Sequence, residues 1–338
     1  MSAGSQPLDP VAVRFQLLDL LGGFLRTQAL HTAARLGVAD IVGDEPVPVE
    51  ALADRVGADP SALHRVLRLL ASCGVFSEAS PGAFVSTPLS DGLREDWPGS
   101  VRYMAMLQGS DTYLAAGEML RSVRTAEPAA ETVFGMPFFE HLARNSERGD
   151  VFNRAMGGGA AARAAAALRH DWSGASVVAD IGGGNGSLLG AVLDAQPHLR
   201  GVVFDRPHVV AEARPVIEAA GLGDRCEAVG GDFFTDVLPS ADVYILAQIL
   251  HDWGDERAVA ILRNCRRSSA DGGRLLIVVL PEGNEPSYAK LLDLIMLVLL
   301  GGKERTESEW RALLQQGGFE LLGTATGPAT SLIEAAPA

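Results

Sequence analysis

Apolar residues recur at three- and four-residue spacing from about Pro10 to Arg169, as in L-L-D-L-L-G-G-F-L between Leu17 and Leu25, which predicts an almost wholly helical stretch. From Ser176 the period changes. Short apolar runs, V-V-A-D-I, G-V-V-F-D, V-Y-I-L-A-Q and R-L-L-I-V-V-L, now alternate with longer helical segments, the arrangement expected of an α/β fold with a doubly wound parallel sheet. The two patterns assign residues 1–170 to a helical domain and 171–338 to a sheet domain, joined near H-D-W-S-G, His170 to Gly174. A length of 338 residues, 47% of them apolar, suits two linked domains.

Within the helical part, V-P-V-E-A-L-A-D-R-V-G-A-D-P-S-A-L-H-R-V-L-R-L-L has the helix, turn, helix cadence of a winged-helix module, with Ala58, Asp59 and Pro60 in the turn. Such modules can read DNA, which requires an excess of positive charge. Here Val47 to Arg94 contains five acids (Glu50, Asp54, Asp59, Glu78, Asp91) against four bases (Arg55, Arg65, Arg68, Arg94), and the whole chain carries −14. Packing or dimerisation is therefore expected of this module, ahead of a winged-helix regulator that senses a nucleotide. The same charge disfavours nucleic acid and anionic membrane surfaces, leaving small molecules and other proteins as partners. No basic stretch leads into an apolar segment at the start. The most apolar run, Leu291 to Leu300, contains Asp293 and falls short of the roughly 20 residues of a membrane helix. Three scattered cysteines, Cys73, Cys226 and Cys265, fit neither a disulfide framework nor a zinc site, so no metal and a cytoplasmic location are expected.

The chemistry gathers at strand ends. After Val177 to Ile181 the chain reads D-I-G-G-G-N-G-S, with Gly182, Gly184 and Gly186 at every second residue before a helical segment. Glycines there let the backbone approach a ligand and turn into a helix whose free N–H groups favour polar or anionic groups. Ser187 occupies the place of the third glycine of the dinucleotide fingerprint, which argues against NAD. Asp205 ends the next strand, nineteen residues beyond Gly186, where an acid can accept from both hydroxyls of a ribose. The third strand ends in G-D-F-F, in which Asp232 could accept from an adenine amine and Phe233 could lie against the ring.

Taken together, the D-x-G-x-G-x-G loop beginning at Asp180, Asp205, G-D-F-F, L-H-D-W-x-D (Leu250 to Asp255) and G-G-K-E-R-T (Gly301 to Thr306) resemble the S-adenosylmethionine-dependent small-molecule O-methyltransferases of the caffeic acid and acetylserotonin type, including bacterial natural-product members. The resemblance spans nearly the whole chain. It implies a Rossmann-like cofactor domain, a winged-helix-like front domain that dimerises and covers the substrate, a homodimer, S-adenosylmethionine as cofactor and an aromatic small-molecule acceptor. A phenol with pKa about 10 must lose its proton as the methyl arrives, and a histidine with pKa near 6.5 can take it. His251 is the expected base. Glu304 is implied as a flanking acid, Gln248 occupies a position near the cofactor where relatives often carry lysine or arginine, and Met156 and Met296 match positions of the substrate pocket. Other expected walls are Tyr103 to Leu107 and Gly135 to Phe139. A second flanking acid is implied near the end of the fifth strand, yet I-V-V-L-P offers none before Glu282. That departure keeps a second reading open, a relative that uses the cofactor fold for hydroxylation, decarboxylation or rearrangement.

Overall fold

Asp59 and Pro60 set the geometry of the front module in the computed structural model, which describes residues 9–281 and 288–338. The helix Val49–Val56 stops at Gly57, whose φ of +68° is left-handed, and Asp59 then accepts from Ala62 N at 2.8 Å to cap the helix Pro60–Ser72. Strands β1 (Val47–Pro48), β2 (Ser77–Ser80) and β3 (Ala83–Val85) form a small antiparallel sheet in the order β1-β3-β2. Leu52, Leu63, Leu67, Leu70, Phe76 and Phe84 make a buried core between helices and wing. The turn falls where the sequence placed it. By contrast, the helix Pro10–Leu21 buries none of its residues, and Phe15 and Leu20 are 65% and 73% exposed.

The second unit is built on seven strands: β4 (Val177–Ile181), β5 (Arg200–Asp205), β6 (Cys226–Gly230), β7 (Ala241–Ala247), β8 (Ser269–Val279), β9 (Phe319–Ala325) and β10 (Ser331–Pro337). Their order is β6-β5-β4-β7-β8-β10-β9. The first five pair in parallel, as the apolar runs predict, while β10 pairs antiparallel with both β8 and β9. Because successive side chains point to opposite faces, Tyr244 and Leu246 of β7 enter one core and Val243 and Ile245 the other. Both faces are therefore covered. The connections run outward in opposite senses from β4 and β7, so the crevice at the carboxyl ends of these two strands is the topological switch point.

Contacts divide the chain into Met1–Asp111 and Thr112–Ala338, whereas the change of pattern in the sequence lies near 170. The reason lies in the alanine-rich helix Ala160–Ala167. Ala164, Ala166 and Ala167 pack with Trp172 and Leu188 in one of the two sheet cores, so the small side chains bring this helix close to the sheet. His170 marks the start of strands, not the edge of the compact unit.

Candidate active site

The glycine loop takes its shape from three left-handed residues, Gly182 (φ +72°), Gly184 (φ +58°) and Gly186 (φ +76°). The left-handed φ favours glycine at 182, and a Cβ there would also push on Ile249, whose Cδ1 would lie 2.4 Å away. Asp205 braces the loop, its Oδ2 accepting from Gly184 N at 2.9 Å and its Oδ1 from Arg206 N at 2.7 Å. Asp232 Oδ1 accepts from Phe234 N at 2.8 Å, and the half-buried Phe233 ring lies edge-on to Phe234, with centroids 4.8 Å apart. Gln248, at the end of β7, is itself left-handed (φ +57°), a conformation that costs energy in a residue with a side chain. Its Oε1 accepts from Arg163 Nη1 at 3.2 Å.

These residues surround a cavity of about 420 Å³ at the switch point. Asp180, Gly182, Gly184, Asp205, Asp232, Phe233, Gln248 and Met156 line it, while Gly186 starts the helix behind the loop. Burial pushes the Asp180 carboxyl up to about 7, against the pull of Arg163, and both of its buried oxygens lack a hydrogen-bond partner. Burial also raises the Asp205 carboxyl, although its two backbone N–H donors oppose the shift. A polar ligand with a nucleoside and a cationic end fits such a lining: acids at two strand ends, an aromatic ring, open loop backbone and an unpartnered carboxylate. S-adenosylmethionine has that composition.

The second half of the site is the seam between H-D-W-G-D and G-G-K-E-R-T. Leu250–Asp252 forms a tight turn, in which His251 is buried and donates from Nδ1 to Glu304 Oε1 at 2.5 Å. Its Nε2 lies 3.3 Å from Asp252 Oδ1. Lys303 N donates to His251 O at 2.9 Å, and a Cβ on Gly302 would fall 1.9 Å from that same oxygen, so the two backbones touch through a glycine. Arg305, its side chain fully buried, donates to Leu250 O and Trp253 O, each at 2.8 Å, and to Asp255 Oδ1 at 2.9 Å. Asp255 is thus taken up by Arg305 and is the first residue of its helix, with Gly254 at the cap. Glu304 is held in turn through its backbone N–H, which donates to Asp293 Oδ1 at 2.8 Å.

Burial alone would lower the His251 pKa, but the Asp252 charge and the Glu304 hydrogen bond outweigh it and raise the net value. Burial pushes the Asp252 carboxyl up to about 7, with His251 opposing and Glu304 adding to the shift. Asp252 and Trp253 line the cavity; His251, Glu304 and Met296 do not. Met296 is buried in the helix Tyr288–Leu299. Phe139, Phe152 and Trp253 supply aromatic wall, with Phe139 centred 5.8 Å from Trp253 and 5.9 Å from Phe152. The Tyr103–Leu107 segment belongs to the first unit, and Glu282 falls outside the described residues. Sequence reasoning passed over Arg163, Asp293 and Arg305. Two had a visible signal, a lone charge in an alanine tract and a lone acid in an apolar run.

A sheet ordered β6-β5-β4-β7-β8-β10-β9, with a nucleoside-suited cavity at its switch point and a histidine–carboxylate pair beside it, defines a methyltransferase of the S-adenosylmethionine-dependent class. The chain belongs to the O-methyltransferase family: residues 117–320 match the O-methyltransferase domain, and residues 18–96 match the O-methyltransferase dimerisation domain. It is similar to the phenazine O-methyltransferase PhzM of Lysobacter antibioticus, with 47% identity over 99% of this chain and 98% of the relative. The crystal structure of LaPhzM superposes with a TM-score of 0.91 at 47% identity, covering 96% of this chain and 99% of that one. Human N-acetylserotonin methyltransferase in complex with S-adenosylmethionine superposes with a TM-score of 0.88 at 29% identity, covering 99% of each chain. The enzyme uses S-adenosylmethionine. Among the described residues, no group of three or more His, Cys, Asp or Glu could hold a metal ion, and no helix is long and apolar enough to cross a membrane.

Proposed function

We propose that the enzyme methylates a phenolic hydroxyl of a polycyclic aromatic secondary metabolite, with His251 as the proton acceptor, and that hydroxyphenazines are the first acceptors to try. The observation that carries the reading is the 2.5 Å contact between His251 Nδ1 and Glu304 Oε1. A carboxylate on Nδ1 fixes the tautomer and stabilises the imidazolium, leaving Nε2 to accept the proton. Nε2 lies 3.3 Å from Oδ1 of Asp252, a residue that lines the cavity. S-adenosylmethionine supplies a sulfonium methyl group open to in-line attack by an electron-rich oxygen. The aromatic wall of Phe139, Phe152 and Trp253, together with the adaptable Met156, suits a flat acceptor and holds it dry.

Purified enzyme given S-adenosylmethionine with an isotopically labelled methyl group and a panel of hydroxyphenazines and other polycyclic phenols is expected to yield products carrying the label on oxygen. Label on nitrogen or carbon, or cofactor consumption with an unlabelled product, would overturn the assignment. The homodimer is part of the same reading. It is supported by the matched dimerisation domain and by the uncovered apolar helix Pro10–Leu21. Light scattering should return twice the chain mass of 35.5 kDa, and a monomer at micromolar concentration would refute it.

A further inference from the structure

We propose that Arg163 binds the α-carboxylate of the cofactor's amino-acid end, opposite Asp180, which takes the α-ammonium. The proposal rests on the enzyme's use of S-adenosylmethionine and assigns residues to the part of that molecule the nucleoside contacts leave unexplained. Both side chains line the cavity. Asp180 is buried with neither oxygen hydrogen-bonded, a costly arrangement unless a ligand completes it. Gly183 leaves it room, since a Cβ there would fall 2.9 Å from the carboxylate.

Arg163 is the complement. Its guanidinium donates to two neutral oxygens, from Nη1 to Gln248 Oε1 at 3.2 Å and from Nη2 to Met156 O at 2.6 Å. Those bonds fix the plane of the fork without neutralising its charge. Burial disfavours that charge, and Asp180 is the acid that offsets the effect. One cavity thus holds an anion and a cation, neither in a contact ion pair, and an amino acid zwitterion answers both. Charge-assisted bonds to carboxylate are the strong ones, and a guanidinium suits their geometry. Gln248 becomes a positioning residue. The left-handed turn at the end of β7 presents its amide to Arg163, so the neutral residue at 248 is served by a cation from the helix Ala160–Ala167.

Calorimetry separates this from a merely structural role by comparing two ligands. S-adenosylhomocysteine has the amino-acid end; 5′-methylthioadenosine lacks it and keeps the nucleoside. Arg163→Gln is expected to weaken S-adenosylhomocysteine by about 10- to 100-fold, the span set by losing one charged hydrogen-bonding partner, and to leave 5′-methylthioadenosine within about threefold. Asp180→Asn should show the same split, and Arg163→Lys should recover part of the loss. Parallel weakening of both ligands, or no change in either, would overturn the proposal. Should Arg163→Gln fail to fold, Arg163→Lys and Asp180→Asn carry the comparison, since each keeps the shape of the site. Failure of the unaltered protein to bind S-adenosylhomocysteine would count against the cofactor assignment itself, a result distinct from loss of discrimination.

Discussion

His251→Ala is expected to cut methyl transfer by a factor on the order of 10² or more while leaving S-adenosylmethionine affinity within about twofold. The expectation follows from the placing of His251 outside the cofactor lining and in contact with two carboxylates. Single-turnover rates and calorimetric affinities on the same variant would separate chemistry from binding. An unchanged rate would remove the histidine from the mechanism. Glu304→Gln tests the support in a different way. With His251 held above its ordinary value, the neutral form that accepts a proton is gained as pH rises through that raised value. Replacing Glu304 removes one of the two upward influences, so the acidic limb of the rate profile should move to lower pH as its plateau falls. A limb that stays in place or moves upward would show that Glu304 does not act on the imidazole.

Arg305→Met is expected to lower folding stability by about 2–5 kcal/mol, the cost of leaving two buried carbonyls without their donor at roughly 1–3 kcal/mol each. The variant deletes the Arg305 donors to Leu250 O and Trp253 O and leaves Asp255 with only Lys303, whose Nζ lies 3.6 Å from its Oδ2. Much of the loss should come from the two carbonyls, which the buried seam shields from water, because the carboxylate of Asp255 is 56% exposed and can be solvated. Denaturant melts would measure it, and a shift under about 0.5 kcal/mol would mean the seam closes without Arg305. Turnover should fall as well. Arg305 ties down the carbonyls on either side of His251 and follows Glu304 directly, so loosening it misplaces the proposed base and its proposed support together.

Much of the cavity at the switch point was legible because the residues that line it lie beside the strand ends that position them. Asp180, the glycines, Asp205, Asp232 and Phe233 are each read with the apolar run before them, and the parallel sheet then carries those ends to one edge. Arg163 was not legible in this way. Its partner Gln248 is 85 residues distant, and only the packing of the alanine helix brings the two together. The same holds for Asp293, which served in the sequence to argue against a membrane helix and in the fold anchors the backbone of Glu304. The closing hairpin of β9 and β10 also exceeded the pattern, since apolar runs do not declare strand direction. Of the two residues expected at the substrate, Met156 reaches the cavity wall, whereas Met296 is buried away from it, because an apolar helix offers the same residue type to core and pocket alike.

The uncovered helix at the front has a thermodynamic consequence. Val11, Phe15, Leu17, Leu18, Leu20 and Leu21 are all exposed in a single copy, so the stabilisation their burial can supply belongs to a bimolecular step. In the proposed dimer, mass action then makes the melting temperature rise with protein concentration. Dilution would erode stability with every intramolecular contact unchanged, and the solitary chain, with its apolar helix in water, would be the form that precipitates.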